Sequence, residues 1–366
     1  MAWYNGSWTY RVQVTIDHTK VDSDLTDFPV YVDLSDLPAG FFTNVLSSGA
    51  DIRVTRSDGT TECPFELVFI TTGSSIGELH FKANFISSTS DTSFYIYYGN
   101  GSASAYSSTD TYGRNNVWTN GFVYVNHMQS NTAADSTGNG GAATASGSPS
   151  AVAGKLAGNS IEFGGTNHME HTSFSELGGM SIFGFSCWMN ADSVSGGRQF
   201  LSKASSSNTN RCFWVQIHPT LGFIALLSSD GTSSNRGYYS ENGATSLPTG
   251  SWTHIYSHID FSTDAVVLHF DDVSQSTTNV ENGTGFPSST RSTSESFWIG
   301  ERNDSKLGFD GELDEIRLFD AARSTGWISA EYDNQDSPST FYTIGSQETD
   351  SGGGGGSSFL PSVIFM

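Results

Sequence analysis

The sequence predicts an all-β protein made of two tandem antiparallel β-sandwiches. Three observations favour this fold class. Short segments alternate apolar and polar residues with a period of two. Turn-forming residues separate these segments about every ten positions, as is typical of a sandwich. Only 15% of the chain is charged, and 40 glycines among 366 residues favour turns over long helices. The predicted boundaries are residues 1–110, 111–347 and a 348–366 tail.

The charge balance argues against two classes of partner. The net charge is −22, and the chain lacks the basic clusters that a nucleic-acid surface needs. No stretch approaches the roughly 18 apolar residues of a membrane span. The first residues enter a strand pattern without a basic or apolar leader. We therefore expect either a protein made without a secretion signal or one whose signal was removed.

Three cysteines are too few for a disulfide framework in so long a chain. Cys63, Cys187 and Cys212 stand beside apolar or aromatic residues, so we expect buried free thiols. A Cys187–Cys212 bridge is the alternative if their strands pair.

Residues 8–100 form the first set of predicted strands. Val12, Val14 and Ile16 alternate with polar residues, and Asp58-Gly59 is a tight-hairpin signal. Four motifs follow one another in this segment: Trp8-Thr9-Tyr10-Arg11, Phe28-Pro29-Val30 with Val32, Asp51-Ile52-Arg53 and Tyr97-Tyr98-Gly99-Asn100. With them, residues 8–110 resemble the domain of unknown function family 2341, a β-sandwich module of surface, secreted and viral proteins. The resemblance implies no activity.

After a Ser/Ala/Gly-rich region at 101–160, the strand pattern returns and continues to one predicted helix. Ser324 is a good N-cap for that helix, with Trp327, Ile328 and Ala330 behind it. The motifs of this part are Asp135–Gly141, Phe185-Ser186-Cys187-Trp188-Met189, Phe200-Leu201-Ser202-Lys203, Gly250-Ser251-Trp252-Thr253-His254-Ile255, Phe297-Trp298-Ile299-Gly300, Phe309–Phe319 and Ala321-Ala322-Arg323-Ser324. They resemble the laminin-G-like branch of the concanavalin A-like lectin/glucanase superfamily. The resemblance implies a jelly roll, a fold that hosts lectins, hydrolases and spacers alike.

The carboxylate pattern argues against catalysis. Glucanases of the resembled fold carry three acidic residues on one strand face. Here Glu312 and Asp314 share a face, but Ile316 takes the third place. A glycosidase needs two carboxylates that flank the scissile bond, so we expect no enzyme. His254 and His258 alternate on a strand and would lie roughly 13 Å apart, too far for one zinc ion.

Calcium is the metal that the resemblance implies. Sandwiches of this class often hold one structural calcium with an Asp of the last strand, which Asp314 matches, and Asp135 lies in the loop that would supply further ligands. Oxygen ligands suit calcium. In the alternative interpretation, Asp314 caps backbone N–H groups of a neighbouring loop.

Glycan binding needs aromatic side chains on a rim or a concave face. Arg236, Tyr238 and Tyr239 follow a polar loop at Asp230-Gly231 and are the candidates; local packing is the alternative. The tryptophans Trp188, Trp214, Trp252 and Trp298 lie inside strand patterns, where we expect core positions.

The chain ends on an apolar peptide behind a pentaglycine linker, Gly352–Gly356. Its apolar residues are Phe359, Leu360, Val363, Ile364, Phe365 and Met366. We expect it to dock on neighbouring subunits of an assembly; docking on the second sandwich itself is the alternative. The sequence thus suggests a non-catalytic virion surface protein of a phage or other virus (a decoration, fibre or tail component) that binds host-surface glycans. A secreted bacterial carbohydrate-binding adhesin is the alternative.

Overall fold

In a computed structural model, the chain forms an all-β protein of antiparallel sheets with few helices, which confirms the predicted fold class. The structure describes residues 2–172, 174–205, 210–218, 222–228, 230–232, 236–241, 247–283, 285–302 and 308–350. Within these ranges, no helix has the length and apolar character needed to cross a membrane.

The strands follow the alternation of the sequence. In the first 110 residues they are β1 (Tyr10–Ile16), β2 (Phe28–Asp33), β3 (Arg53–Arg56), β4 (Glu62–Cys63), β5 (Phe65–Thr71), β6 (Ile76–Ala83) and β7 (Thr92–Tyr98). The next are β8 (Phe122–Asn126), β9 (Thr144–Ser146), β10 (Ser150–Ala153), β11 (Asn159–Gly164), β12 (His168–His171), β13 (Ile182–Ala191), β14 (Arg198–Ala204), β15 (Arg211–His218) and β16 (Gly222–Ser228). The last are β17 (Arg236–Glu241), β18 (Thr253–Asp260), β19 (Ala265–Phe270), β20 (Val273–Ser274), β21 (Thr277–Asn282), β22 (Phe297–Ile299), β23 (Asp310–Phe319), β24 (Tyr342–Ile344) and β25 (Glu348–Thr349). The α-helices are α1 (Ala39–Asn44), α2 (Thr325–Asp336) and α3 (Pro338–Phe341), and 3₁₀ turns span His18–Lys20, Leu34–Asp36, Arg114–Asn116 and Ser175–Leu177.

The first sandwich packs two sheets against each other. Its outer sheet has the order β24-β1-β7-β3-β4, with β25 also paired to β1. Its inner sheet has the order β2-β6-β5. Val12, Val30 and Phe81 are fully buried in the core between them.

The second sandwich is larger. Its inner sheet has the order β10-β11-β23-β13-β18-β19-β20, with β8 also paired to β23. Its outer sheet has the order β21-β17-β16-β15-β14-β22-β12-β9. Leu313, Ile316 and Leu318 of β23 face a core shared with Phe213 and Val215 of the outer sheet.

The C-terminal segment returns to the first sandwich. β24 pairs with β1 from Val14↔Ile344 to Ile16↔Tyr342, and β25 pairs with Tyr10 and Arg11. Residues 342–349, which the predicted boundaries divide between the second sandwich and the tail, therefore complete the outer sheet of the first. Trp327 and Phe341 are likewise buried in the first sandwich's core.

Helix α2 and the cysteines follow the sequence expectations. The Ser324 side chain caps α2 by accepting a hydrogen bond from the backbone N–H of Trp327. Cys63, Cys187 and Cys212 are buried free thiols. Burial raises the pKa of Cys63 and of Cys212 to about 12, so both thiols stay protonated at neutral pH.

Candidate functional site between the two sandwiches

The two inner sheets face each other, and polar side chains fill much of their contact. Period-two alternation turns Leu79 and Phe81 of β6 into the first core, so Glu78 and His80 point the other way. Both are fully buried, because the second sandwich covers them. A buried polar residue between apolar neighbours needs a partner.

A bulge in β23 supplies part of that partner surface. In the pairing of β13 with β23, Ser186 pairs with Arg317 and Trp188 pairs with Asp314. One residue of β13 therefore lies opposite two residues of β23 at this point. Glu315 at this point has a φ of 48°, a left-handed conformation that is unusual for a residue other than glycine. The extra residue turns Glu315 to the same side as Arg317, while Ile316 stays in the core.

His127 lies at the centre of the contact. Its Nδ1 is 2.5 Å from Glu315 Oε1, and its Nε2 is 3.2 Å from Glu66 Oε2. His80 Nε2 is 3.0 Å from Glu78 Oε1. Because Glu78 Oε1 is also 3.4 Å from His127 Nδ1, the four groups form one continuous cluster with Glu66 at its edge.

The cluster is extended by charge-assisted hydrogen bonds. Arg317 donates to Glu315 Oε2 at 2.7 Å and to Glu331 Oε1 of α2 at 3.3 Å. Glu66 accepts from Trp118 Nε1 at 2.6 Å and from Ser136 Oγ at 2.7 Å. These bonds fix the carboxylates in place and are stronger in a buried site than in water.

Burial and neighbouring charge act on the ionisation of the cluster. Burial lowers the pKa of His127, but the Glu315 and Glu66 carboxylates outweigh it and hold that pKa well above its usual value. Burial, and then the nearby Glu315 charge, raises the pKa of Glu78. Despite burial, His127 and Arg317 lower the pKa of Glu315. The group is therefore a proton-holding ion network.

A cleft opens beside this cluster. Its volume is about 450 Å³, and it lies between the edge of the first sandwich and the loops that follow β8. Glu66, Arg114, His127, Gln129 and Ser136 supply its polar lining, and Phe65 and Tyr106 supply aromatic lining. Clefts of this size at domain contacts, with a few converging polar groups, are common small-ligand sites.

One subset of the cluster has the geometry of a metal site. Glu78, His80, His127 and Glu315 each offer one ligand atom, and these atoms lie within 4.8 Å of one another. All four residues are buried. Imidazole nitrogen and carboxylate oxygen together suit a divalent transition ion such as zinc.

The two predicted calcium ligands are engaged by backbone groups. Asp314 Oδ2 accepts from the N–H groups of Lys155 at 2.9 Å and Leu156 at 3.2 Å. Asp135 accepts from the N–H groups of Val125 at 2.9 Å and Gly140 at 2.8 Å. Each carboxylate organises a separate loop, and the calcium site stays a prediction.

The predicted glycan-binding tyrosines point in opposite directions, because successive residues of a strand do so. Tyr239 is fully buried in the core, and its hydroxyl lies 2.8 Å from Ser257 Oγ, so it does not form a rim. Tyr238 is half-buried on the solvent side of the outer sheet. The side chain of Arg236, like the apolar tail at 357–366, lies outside the described part of the chain.

Two tryptophans expected in the core lie on the same face of the outer sheet as Tyr238, where Trp214 is buried and Trp298 is half-buried. Trp214 packs with Leu226 and Tyr238 in a small cluster separate from the main core. Trp214 and Trp298 both pair with Ser202, one from each neighbouring strand, so the two tryptophans lie on the same face of the sheet. Arg211 and Arg302 lie over the Trp214 ring at 4.7 and 5.6 Å, and His168 stacks on Trp298 at 3.6 Å.

One pattern in the sequence could have indicated the Glu/His cluster. Glu78 and His80 interrupt an apolar strand at the period that places both on one face, which marks a face with a polar partner. His127 and Glu66 gave no comparable signal, since their neighbourhood exists only after the sandwiches pack. Glu312, the carboxylate considered for catalysis, accepts a hydrogen bond from Asn190 at 2.5 Å.

Comparison with solved structures gives likenesses over part of the chain. Domain 4 of AbnA, an extracellular arabinanase from Geobacillus stearothermophilus solved with arabinotriose, is 20% identical over 57% of this chain and 97% of its own, with a TM-score of 0.44. The binding domain of Paraclostridial Mosquitocidal Protein 1 is 10% identical over 58% of this chain and 52% of its own, with a TM-score of 0.44. A pentraxin from Limulus polyphemus is 15% identical over 43% and 71%, with a TM-score of 0.33.

At these identities and TM-scores, the likenesses carry no information about what the chain binds. This chain spans about half the length of the mosquitocidal toxin domain. No curated protein matches it. Residues 163–329 match the model of the concanavalin A-like lectin/glucanases superfamily, in agreement with the resemblance found in the second sandwich.

Proposed function

We propose that this protein is a non-catalytic surface protein that binds a glycan in the cleft between its two sandwiches. The observation that carries the proposal is the cleft itself, about 450 Å³ in volume and lined by both aromatic and hydrogen-bonding side chains. A volume of this order accommodates one or two sugar rings.

The lining has the chemistry of a sugar site. Tyr106 is half-buried, and its hydroxyl donates to Glu62 Oε2 at 2.7 Å, which fixes the ring beside the cleft. Arg114 supplies guanidinium donors for sugar hydroxyls, whereas the amide N–H groups of Gln129 already donate to Glu78 and to the backbone carbonyl of His127. Apolar ring faces and a few fixed donors together favour a polar ligand with apolar patches, as a pyranose has.

The carboxylates of the cleft favour binding over hydrolysis. Glu66 lines the cleft, but its two oxygens already accept from Ser136 and Trp118. Glu78 and Glu315 lie behind His127 and are at most 1% exposed. Two carboxylates that flank a sugar linkage, which glycosidases require, are therefore not offered by this part of the described chain.

The outer face of the second sandwich is a weaker candidate. Its aromatic rings already have partners: Trp214 carries Arg211 and Arg302, and Trp298 carries His168. Arg53 covers the Tyr106 ring of the cleft in the same way, at 4.2 Å, so the preference for the cleft rests on its concave shape and its converging polar groups.

A glycan array with the full-length protein tests the proposal, followed by titration calorimetry with the strongest ligand. Arg114→Ala in the cleft should weaken binding roughly tenfold or more, since hydrogen bonds to a charged group contribute about 1.5–3 kcal/mol. Arg302→Ala on the outer face is the matched control and should change affinity less than about twofold. Weaker binding in Arg302→Ala with unchanged binding in Arg114→Ala would place the glycan site on the outer face. An array on which the protein binds no glycan would reject the proposed function.

We further propose that the protein sits on a virion surface and attaches through residues 357–366. The support is the apolar character of this peptide behind a glycine linker. A chain truncated after residue 356 should keep the melting behaviour of the full chain but lose assembly with other virion subunits. Normal assembly of the truncated chain would exclude the tail as the attachment segment, and a secreted adhesin would then be the better description.

A further inference from the structure

Two carboxylates and two imidazoles meet at one buried point of the contact between the sandwiches. Glu78 and His80 come from β6 of the first sandwich. His127 and Glu315 come from the segment after β8 and from β23 of the second. We propose that Glu78, His80, His127 and Glu315 form a structural binding site for a divalent transition-metal ion of the zinc class, which joins the two sandwiches.

The distances fit such an ion after small adjustments. Metal–ligand bonds of about 2.0–2.2 Å in a tetrahedral zinc site place ligand atoms roughly 3.4 Å apart. The separations found here are 3.0 Å for His80 Nε2–Glu78 Oε1, 3.4 Å for His127 Nδ1–Glu78 Oε1 and 2.5 Å for His127 Nδ1–Glu315 Oε1. Four protein ligands and full burial are typical of closed, structural sites.

The groups behind the ligands strengthen the assignment. His127 directs its other nitrogen, Nε2, to the Glu66 carboxylate at 3.2 Å, the arrangement that commonly orients a metal-binding histidine. Gln129 donates to the second oxygen of Glu78 at 3.2 Å, and Arg317 donates to the second oxygen of Glu315 at 2.7 Å. Hydrogen bonds to the non-ligating side-chain atoms thus orient three of the four ligands.

Charge balance gives an independent reason. Glu66, Glu78, Glu315 and Glu331 are four buried carboxylates, with Arg317 as the fully buried cation among them. With one fully buried cation among these four carboxylates, a bound divalent ion would offset the excess of buried acidic groups.

His80 adds a further observation. Its Nδ1 is buried without a hydrogen-bond partner among the described residues. Its ring lies between Tyr31 at 5.4 Å and Trp118 at 5.3 Å. The His127 ring stacks on the same imidazole at 4.7 Å, so the two histidines that would hold the ion lie side by side.

The test uses full-length protein refolded in a chelator and then equilibrated with zinc, calcium or magnesium in parallel. We expect about one zinc per chain by elemental analysis and a melting midpoint raised by roughly 5 °C or more by zinc alone. Cobalt(II) in place of zinc should give the visible absorption of a four-coordinate site. Absence of bound zinc, or an unchanged midpoint, would overturn the proposal.

Glu78→Gln separates the metal from a proton network. Glutamine has the shape of a protonated glutamate, so a metal-free network should tolerate it, whereas zinc binding should weaken at least tenfold. Glu301→Gln is the matched control, because Glu301 is a buried partner of His168 at 2.9 Å outside the cluster. It should keep full zinc binding.

Two more variants test whether zinc binds at the buried cluster or at a surface site. His80→Phe keeps an aromatic ring between Tyr31 and Trp118 and should also abolish the zinc-dependent shift. His18→Ala removes a half-exposed histidine that lies near Asp17 and Asp91 at the surface, and it should leave zinc binding intact. Zinc binding that is lost in His18→Ala and retained in His80→Phe would place the ion at the surface and contradict the proposal.

Discussion

His254 is a buried histidine that must stay neutral in the folded protein. It lies on β18 against Trp188 and Tyr332, and burial lowers its pKa to about 4. Glu331 lies 4.0 Å away, but it is already engaged by Arg317. The unfolded chain takes up a proton near pH 6.5 while the folded protein does not, so stability falls as the pH drops from about 6.5 towards 4.

We therefore expect His254→Gln to reduce the acid sensitivity of the fold. The histidine should cost about 2 kcal/mol at pH 5 relative to pH 7, since one pKa unit corresponds to about 1.4 kcal/mol. Urea unfolding of the wild type and the variant at both pH values measures this difference. An equal loss of stability in the two proteins would show that His254 titrates normally in the folded state.

Asp135 stabilises its loop through hydrogen bonds. It accepts from the backbone of Val125, Thr137 and Gly140 and is 1% exposed. Asp135→Ala leaves these donors without a partner and should lower the free energy of unfolding by about 2–3 kcal/mol. Asp260→Ala, at the end of β18 where the half-exposed carboxylate accepts from the backbone of Ser262, is the control and should cost less than about 1 kcal/mol.

The same variant tests the calcium prediction. If Asp135 and Asp314 hold calcium, EGTA should lower the melting midpoint of the wild type and leave that of Asp135→Ala unchanged. A wild-type midpoint that ignores EGTA and added calcium would show that both carboxylates serve only their backbone donors.

At the scale of elements, helix α2 connects the two sandwiches. Trp327 and Ile328 are buried in the first core. Glu331 accepts from Ser186 Oγ at 2.6 Å on β13 of the second sandwich, and Asn334 bonds both backbone groups of Tyr31 on β2. A helix of 12 residues is marginal alone, so its position depends on these contacts.

Loss of the helix cap should therefore lower the stability of the whole protein. Ser324→Ala leaves the N–H of Trp327 without its side-chain acceptor and should cost about 1 kcal/mol in chemical denaturation. The exposed Ser47 is the control position, where Ser47→Ala should change stability by less than about 0.5 kcal/mol. Equal changes in the free energy of unfolding at the two positions would mean that the Ser324 side chain does not stabilise α2.

Local sequence patterns mark most strands and the start of α2, but they do not mark every irregularity of the strands. Alternation and turn residues predicted the strands, and Ser324 predicted the start of α2. The bulge at Glu315 breaks the alternation by one residue, and no local signal marked it. Tyr238 and Tyr239 are neighbours in the sequence and predict one glycan-binding surface, whereas a strand directs their side chains to opposite faces of the sheet.

At the scale of the whole molecule, the first and the last strands of the described chain lie in one sheet. β1 lies between β7 and β24, so the outer sheet of the first sandwich includes residues from both termini of the described chain. The sequence could not show this, because pairing of strands some 330 residues apart leaves no local pattern; Val14 pairs with Ile344. The cleft and the Glu/His cluster depend on the same long-range packing.

We expect that a fragment of residues 1–110 does not fold by itself. It lacks β24 and the core residues Trp327, Ile328 and Phe341, so β1 becomes an open edge and the core is incomplete. Circular dichroism and thermal melting of the fragment, compared with the full chain, measure this. A cooperative melting transition near that of the full chain would show that the first sandwich is independent of the C-terminal segment.

The central claim is that ligand binding takes place between the sandwiches. Hydrogen exchange of the full-length protein, with and without the glycan selected on the array, tests it most directly. We predict slower exchange at residues 105–114 and 129–136, which border the cleft, and no change in β15, β17 and β22 of the outer sheet. Protection confined to β15, β17 and β22, with the cleft segments unchanged, would contradict the account.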